Sequence, residues 1–349
     1  MTKNLVLPVY SVSGSNYELG FEIGKRFRSQ IADFLGKSKR LKLLRRSENR
    51  NPRLQRWMKY GETYFPQYIE EIRGIAEGSG SSLTDILLIN CKYDFPRKGC
   101  TTVIFKESDR IILAHNEDNT GDHLNNCYLL KVYPEVGIPF ISFCYPGMIP
   151  GNSFAFNVSG IIITNNAMPT PDTRMGCPRH LIDRSQLEGK NIKDVIKGTL
   201  FQERSSGGSF NIVSEKEKRA VNIETTSQRH CITEVVDKYL HTNHYVSREL
   251  GSLKRDKSLL TSSISRYDVG SRLLARVKEK TPQSALDILS SLEAKPYSIL
   301  RIDKRMRVLT LFTALFEVSY NRISMKVYES KPNIKEKDVF LELTSDDLT

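Results

Sequence analysis

One stretch limits what this chain can be. Gly99-Cys100-Thr101-Thr102-Val103 is followed by Asn116-Glu117-Asp118, which ends eighteen positions past the cysteine. Thr101 to Phe105 and Arg110 to His115 are β-branched and aliphatic runs separated by the polar Lys106-Glu107-Ser108-Asp109, a pattern that predicts a β-hairpin. Cys100 then opens the first strand and Asp118 lies just past the second, so the antiparallel return brings thiol and carboxylate to one sheet edge. Gly99 has no side chain to obstruct attack on its own carbonyl, and it tolerates backbone angles that other residues avoid. Cys100 can therefore attack the Gly99 carbonyl, take the acyl group onto sulfur and, after hydrolysis, become a new N-terminus. An N-terminal amine can act as general base for its own side chain. A cysteine at a strand start is also an ordinary small buried hydrophobe, so the rest of the chain has to choose.

With 349 residues, 39% hydrophobic and 26% charged, the sequence has the composition of a soluble globular protein with one large or two ordinary domains. No apolar run reaches about 18 residues, so no membrane span is expected, and Met1 to Ser13 lacks a signal-peptide core. Six cysteines without CxxC spacing argue against zinc and disulfides and fit a cytoplasmic, reducing setting. The net charge of +12 is concentrated between Lys37 and Lys59, where ten Lys or Arg face the single acid Glu48. Such a stretch attracts anions. A phosphate-bearing acyl donor, coenzyme A or an acidic carrier protein, fits it as well as nucleic acid does, and a solvated helix face is the plain alternative. No nucleic-acid motif accompanies it.

The periodicity predicts a helix over Ser15–Leu35, with Ser15 and Glu18 as a capping box and Gly20 and Gly24 as a smooth strip. A helical region over 52–77 is expected to break at Pro66, and Thr84 to cap a shorter helix running to Lys92. Strands are expected at Cys127–Val132, Pro139–Cys144, Phe154–Asn157, Ile161–Asn165, Phe210–Val213, Ala220–Glu224 and Cys231–Val236. Arg307–Ser330 reads as two more around Asn321-Arg322, and 178–201, 257–278 and 283–293 read as helical. Helices alternating with blocks of strands predict two sheets with helical layers outside.

Motifs spread over nearly the whole chain resemble one family. Gly14-Ser15 with Glu18-Leu19-Gly20 and Gly24 resembles its opening helix, and Tyr64-Phe65-Pro66 with Glu70 to Ala76 its second helical segment. Gly99-Cys100-Thr101-Thr102 resembles its self-cleavage site and Asn116-Glu117-Asp118 its Asn-x-Asp motif. Phe156-Asn157 with Gly160 and Asn165-Asn166, His241-Thr242-Asn243-His244, and Pro296-Tyr297-Ser298 with Arg301 follow in the right order. The family is that of the penicillin-forming isopenicillin N acyltransferase, a cysteine branch of the N-terminal-nucleophile (Ntn) hydrolases. The resemblance implies an α+β fold, a four-layer αββα sandwich, made as a precursor. Cleavage between Gly99 and Cys100 would leave a helical chain 1–99 associated with a catalytic chain 100–349. It implies acyl transfer or amide hydrolysis through a thioester on Cys100, with a small-molecule amide or acyl thioester as substrate and no cofactor or metal.

By the same resemblance Asp118 orients the Cys100 amine. Asn243 can donate to the oxyanion, with Asn165 or Asn166 as a second donor, and Arg301 suits a carboxylate or Asp118. Ser209 and Tyr297 are further candidate substrate contacts. Arg266 and Arg301 can equally be surface ion pairs, and the His241/His244 pair has no metal-site partners. Glu117 stands where the penicillin enzyme has an aromatic residue, and Asn119 where it has a second. The polar pocket this implies suits an amine-bearing substrate, such as the β-alanyl amides that other family members split. The alternatives are a hydrolase with water as sole acceptor and a non-catalytic binding protein using the basic 37–59 stretch.

Overall fold

The computed structural model describes residues 7–50, 53–91, 99–253, 257–303, 305–319 and 322–348. Ahead of Gly99 lie β1 (Val9–Gly14) and the helices α1 (Asn16–Arg26), α2 (Arg28–Lys37), α3 (Lys39–Arg50), α4 (Leu54–Tyr64), α5 (Pro66–Ser79) and α6 (Leu83–Cys91). Next come β2 (Gly99–Lys106), β3 (Arg110–Thr120), β4 (Tyr128–Pro134), β5 (Phe140–Cys144), β6 (Phe154–Asn157) and β7 (Ile161–Asn166), then α7 (Arg179–Gln186) and α8 (Ile192–Thr199). The strands β8 (Ser209–Ser214), β9 (Arg219–Thr225), β10 (His230–Glu234) and β11 (Lys238–His241) precede α9 (Arg248–Gly251), α10 (Lys257–Arg276) and α11 (Pro282–Leu289). The last strands are β12 (Val308–Ser319), β13 (Arg322–Glu329) and β14 (Leu341–Thr344). Among the described residues no helix is long and apolar enough to cross a membrane.

The fold is mixed α+β with two sheets. One runs β1-β4-β5-β6-β7-β8-β9-β10 and the other β11-β2-β3-β12-β13-β14. Strand periodicity sorts the central hairpin into two faces. Val103, Phe105, Ile112 and Ala114 pack with Val269, Leu286 and Leu289 of α10 and α11. Ile104, Ile111 and Leu113 join the larger core shared with the first sheet and the N-terminal helices. Ring contacts of Phe143 with Phe312 and Phe154 with Phe316 tie the two sheets face to face.

The expected capping box is present: Ser15 Oγ accepts from the Glu18 N–H while Glu18 accepts from Ser15. The single helix expected over Ser15–Leu35 is two, broken at Phe27, whose ring stacks on Tyr128 of β4. Pro66 opens α5 as its first residue. The cap of α6 is Ser82, whose Oγ accepts from the Asp85 N–H, rather than Thr84. The strands β1, β11 and β14 escaped the sequence pattern because they are short or at sheet edges. Because β1 pairs in parallel with β4, the segment before Gly99 adds a strand as well as helices. The turn expected at Asn321-Arg322 lies partly outside the described residues.

Gly20 and Gly24 do form a smooth strip, and it meets a second one, Gly74 and Gly78 on α5. A Cβ at Gly20 would fall 1.9 Å from the Glu71 carbonyl oxygen and one at Gly74 2.1 Å from that of Tyr17. The two backbones are the contact, so no rotamer can relieve an added methyl. Gly20→Ala is expected to lose about 3 kcal/mol, the upper range for overpacking, read as a lowered urea midpoint.

Candidate active site

The hairpin register fixes which groups can meet. Cys100 pairs with Glu117 and Gly99 with Asp118, and β3 continues through Asp118 to Thr120 because β12 pairs along its other edge. Directly paired residues share a face. Glu117 therefore lies on the thiol's face, toward the first sheet, while Asp118 lies on the opposite face, toward α10. The expectation that Asp118 sits past the strand end is corrected by this ladder.

On the α10 face Gly99 leaves room for Asp118, since a Cβ there would sit 2.8 Å from Asp118 Oδ2 and displace the carboxylate. Asp118 is fully buried. Its Oδ1 accepts from Thr310 Oγ1 at 2.7 Å, and Arg301 Nε lies 3.4 Å from Oδ2. Burial pushes its carboxyl above the ordinary carboxylate range, against the opposing pull of Arg301, Arg266 and the Thr310 hydroxyl. Arg301 also contacts Ser262 on α10 and lines a cavity of about 450 Å³ with Leu292, Pro296, Leu300 and Met306.

Arg266, for which the sequence left a surface ion pair open, is instead buried. It is 1% exposed. Its Nη1 donates to the Cys100 carbonyl oxygen (2.6 Å) and Thr101 Oγ1 (2.8 Å), and its Nη2 to Asn243 Oδ1 (2.6 Å). Burial and the like charge of Arg301 draw it down to about 10, with Asp118 and Cys100 acting in the opposite sense. The signal was available: Leu260, Ser263, Arg266 and Val269 recur every third position, placing Arg266 on the buried face of α10.

Asn243 Oδ1 accepts the Cys100 N–H at 2.9 Å, and its Nδ2 donates to the Ala167 carbonyl at 2.9 Å. Two donors on one end and an acceptor at the other fix the amide's orientation. Ser263 Oγ accepts the Asn243 backbone N–H, and just upstream His241 Nε2 lies 2.9 Å from Glu224 Oε1. Glu224 also accepts from the Val246 and Ser247 N–H groups. Burial pushes Glu224 up, but His241 and these donors outweigh it and hold it below its ordinary value. A depressed carboxylate contributes stability that is present above the usual range near pH 4 and is lost as pH falls through the folded value. Glu224→Gln is expected to be less stable than the parent by about 2 kcal/mol at pH 7. The gap should shrink as the pH drops below about 4, in urea titrations at both pH values.

On the thiol face Cys100 is 2% exposed, with Sγ 3.8 Å from Glu117 Oε2. That oxygen also meets Ser153 Oγ (2.6 Å) and His115 Nε2 (3.2 Å), while Oε1 accepts from Tyr145 OH. His115 Nδ1 is 2.8 Å from Thr102 Oγ1, which donates to Asn166 Oδ1 at 3.0 Å. His115, Tyr145 and Ser153 were not singled out in the sequence; only His115 carried a signal, two residues before Glu117 on the same strand face. Cys100, His115 and Glu117 bring three donor atoms within 4.8 Å, a grouping able to hold a metal ion, and the hydrogen bond between His115 and Glu117 already accounts for part of that closeness.

The remaining candidates are spread. Asn165 Nδ2 donates to the Gly151 carbonyl, whereas Asn166 Nδ2 is buried without a hydrogen-bond partner among the described residues. Ser209 pairs with Asn166 across β7 and β8, and its Oγ accepts from Asn222. Tyr297 is half-buried in the loop leading to Arg301. A second cavity, of about 540 Å³, is lined by Lys37, Lys39, Thr120, His123 and Arg307.

A buried thiol beside a carboxylate, an amide and two arginines is a grouping whose chemistry suits acyl groups. Residues 105–332 match the family described as acyl-coenzyme A:6-aminopenicillanic acid acyl-transferase, and the chain belongs to that family. It is 24% identical to the β-alanyl-dopamine/carcinine hydrolase of Drosophila melanogaster, with 95% of each chain covered. It is 26% identical to the 40 kDa form of the acyl-coenzyme A:6-aminopenicillanic-acid-acyltransferase of Emericella nidulans, over 87% of this chain and 88% of that one.

Proposed function

We propose that the chain is an autoprocessed cysteine acyltransferase or amidohydrolase with the four-layer αββα Ntn architecture. It is cut between Gly99 and Cys100 into chains that stay together and carries the acyl group as a Cys100 thioester. The observation that carries this is the clamp on one residue: Asn243 holds the Cys100 nitrogen on the Gly99 side, Arg266 holds the Cys100 carbonyl on the Thr101 side, and Asp118 crowds Gly99. After cleavage the freed α-amine, near pKa 8, takes the thiol proton. Asp118, set by Thr310 and Arg301, steadies the ammonium form. The second hydrogen of Asn243 Nδ2 and the Nδ2 of Asn166, which has no hydrogen-bond partner among the described residues, are the proposed oxyanion donors.

The substrate is proposed to be a small amide or acyl thioester admitted beside Arg301, with Ser209 and Tyr297 as outer contacts. The negative charge of Glu117 favours an amine-bearing partner. Coenzyme A or a carrier protein as acyl donor finds phosphate-binding charge at the Lys37, Lys39 and Arg307 cavity. Hydrolysis with water as sole acceptor is the second reading, supported by the 24% identical hydrolase. Denaturing electrophoresis is expected to give two bands for the parent and one for Cys100→Ala. Competition between added amine and water for the acyl group separates transferase from hydrolase.

A further inference from the structure

We infer that Glu117, backed by His115, is the proton acceptor for the Cys100 thiol during self-cleavage, a task that passes to the α-amine once the chain is cut. This rests on the autoprocessing proposed above. Before cleavage the Cys100 nitrogen is an amide. It has no basic lone pair, and its N–H is donated to Asn243 Oδ1. The mechanism of the mature enzyme therefore cannot start itself. Asp118 is on the far face of the strand and pairs with Gly99. Among the described residues, the charged and titratable groups around Cys100 are Glu117 and His115 from β3, Tyr145 after β5, Arg266 from α10, and Asp118 with Arg301 behind the strand. Among the described residues Glu117 Oε2 is the carboxylate oxygen in hydrogen-bond contact with Sγ.

Its surroundings suit the task. Tyr145 OH donates to Oε1 and Ser153 Oγ to Oε2, and His115 Nε2 lies 3.2 Å from Oε2, so the accepting oxygen is held in place beside Sγ. The thiol proton moves to Glu117 Oε2. The thiolate attacks the Gly99 carbonyl carbon through a five-membered ring, forming a C–S bond. The C–N bond breaks, and the proton held on Glu117 is returned to the leaving nitrogen. Water then hydrolyses the thioester to the Gly99 carboxylate and the free thiol.

The test follows full-length Glu117→Gln by denaturing electrophoresis and intact mass from the moment of purification. Gln keeps the shape and the acceptor for Tyr145 but not the basicity. Conversion to two chains is expected to slow about a hundredfold at pH 7. It should then quicken about tenfold per pH unit as alkaline pH ionises the thiol without a base. A variant unable to fold would not regain cleavage at high pH. Conversion at the parent's rate, or a slow rate that alkaline pH does not lift, overturns the assignment. Cleavage in Cys100→Ala, or a parent chain that is never cut, overturns the autoprocessing reading beneath it, and those controls show which of the two has failed.

Discussion

Replacing Arg266 with methionine is expected to lower kcat/KM and the rate of maturation together, each by about a hundredfold or more, the scale of losing one preorganised donor at a developing charge. Three buried acceptors lose a donor at once: the Cys100 carbonyl, Thr101 Oγ1 and Asn243 Oδ1. Asp118 also loses one of the cations that restrain the upward push of burial. Asn243 then keeps the Cys100 N–H without its brace, so the backbone on both sides of Cys100 loosens. Arg266→Lys keeps the charge but not the planar fork, and is expected to fall between parent and methionine variant. Equal rates in all three would mean that the clamp has no part in the chemistry.

Glu71→Ala should give the largest loss of stability. Glu71 on α5 and Arg184 on α7 are both almost fully inaccessible, with Oε2 3.2 Å from Nε, and the guanidinium also lies over the rings of Tyr68 and Phe140. The pair joins the segment before Gly99 to the segment after it, so in a cleaved protein it would bridge two chains. Removing only the acid strands a buried cation, at a cost of about 3–5 kcal/mol. The double variant Glu71→Met/Arg184→Met removes both charges and should recover much of that loss. Urea midpoints of the two singles and the double measure the coupling, and gel filtration of cleaved protein reports whether the chains part.

Sequence patterns carried far for elements whose partners are local. The Ser15 capping box, the Pro66 start of α5, the glycine strip on α1 and the central hairpin all depend on neighbours a few residues away or on strict periodicity. Pairing across long separations was less legible. The strand β11 is four residues beside β2, and β1 joins a sheet whose other members begin more than a hundred residues later. At the site, Cys100, Asp118, Asn243 and Arg301 could be named from motifs, but not the face each occupies. The second strand, read as ending at His115, runs on to Thr120, and its register puts Glu117 rather than Asp118 across from the thiol. Arg266 was weighed as a surface charge because a lone cation on an amphipathic helix usually is one. Its buried partners lie 23 and 166 positions away, beyond any local pattern.

Intact-mass spectrometry, before and after incubation with an acyl-coenzyme A and with a β-alanyl amide, reaches the sulfur at the centre of all this. The expected result is a complex of two chains, the larger beginning at Cys100, in which that residue alone gains the acyl mass and loses it again to hydroxylamine. An uncut chain that turns the substrate over, or an acyl group found on any other residue, would contradict it.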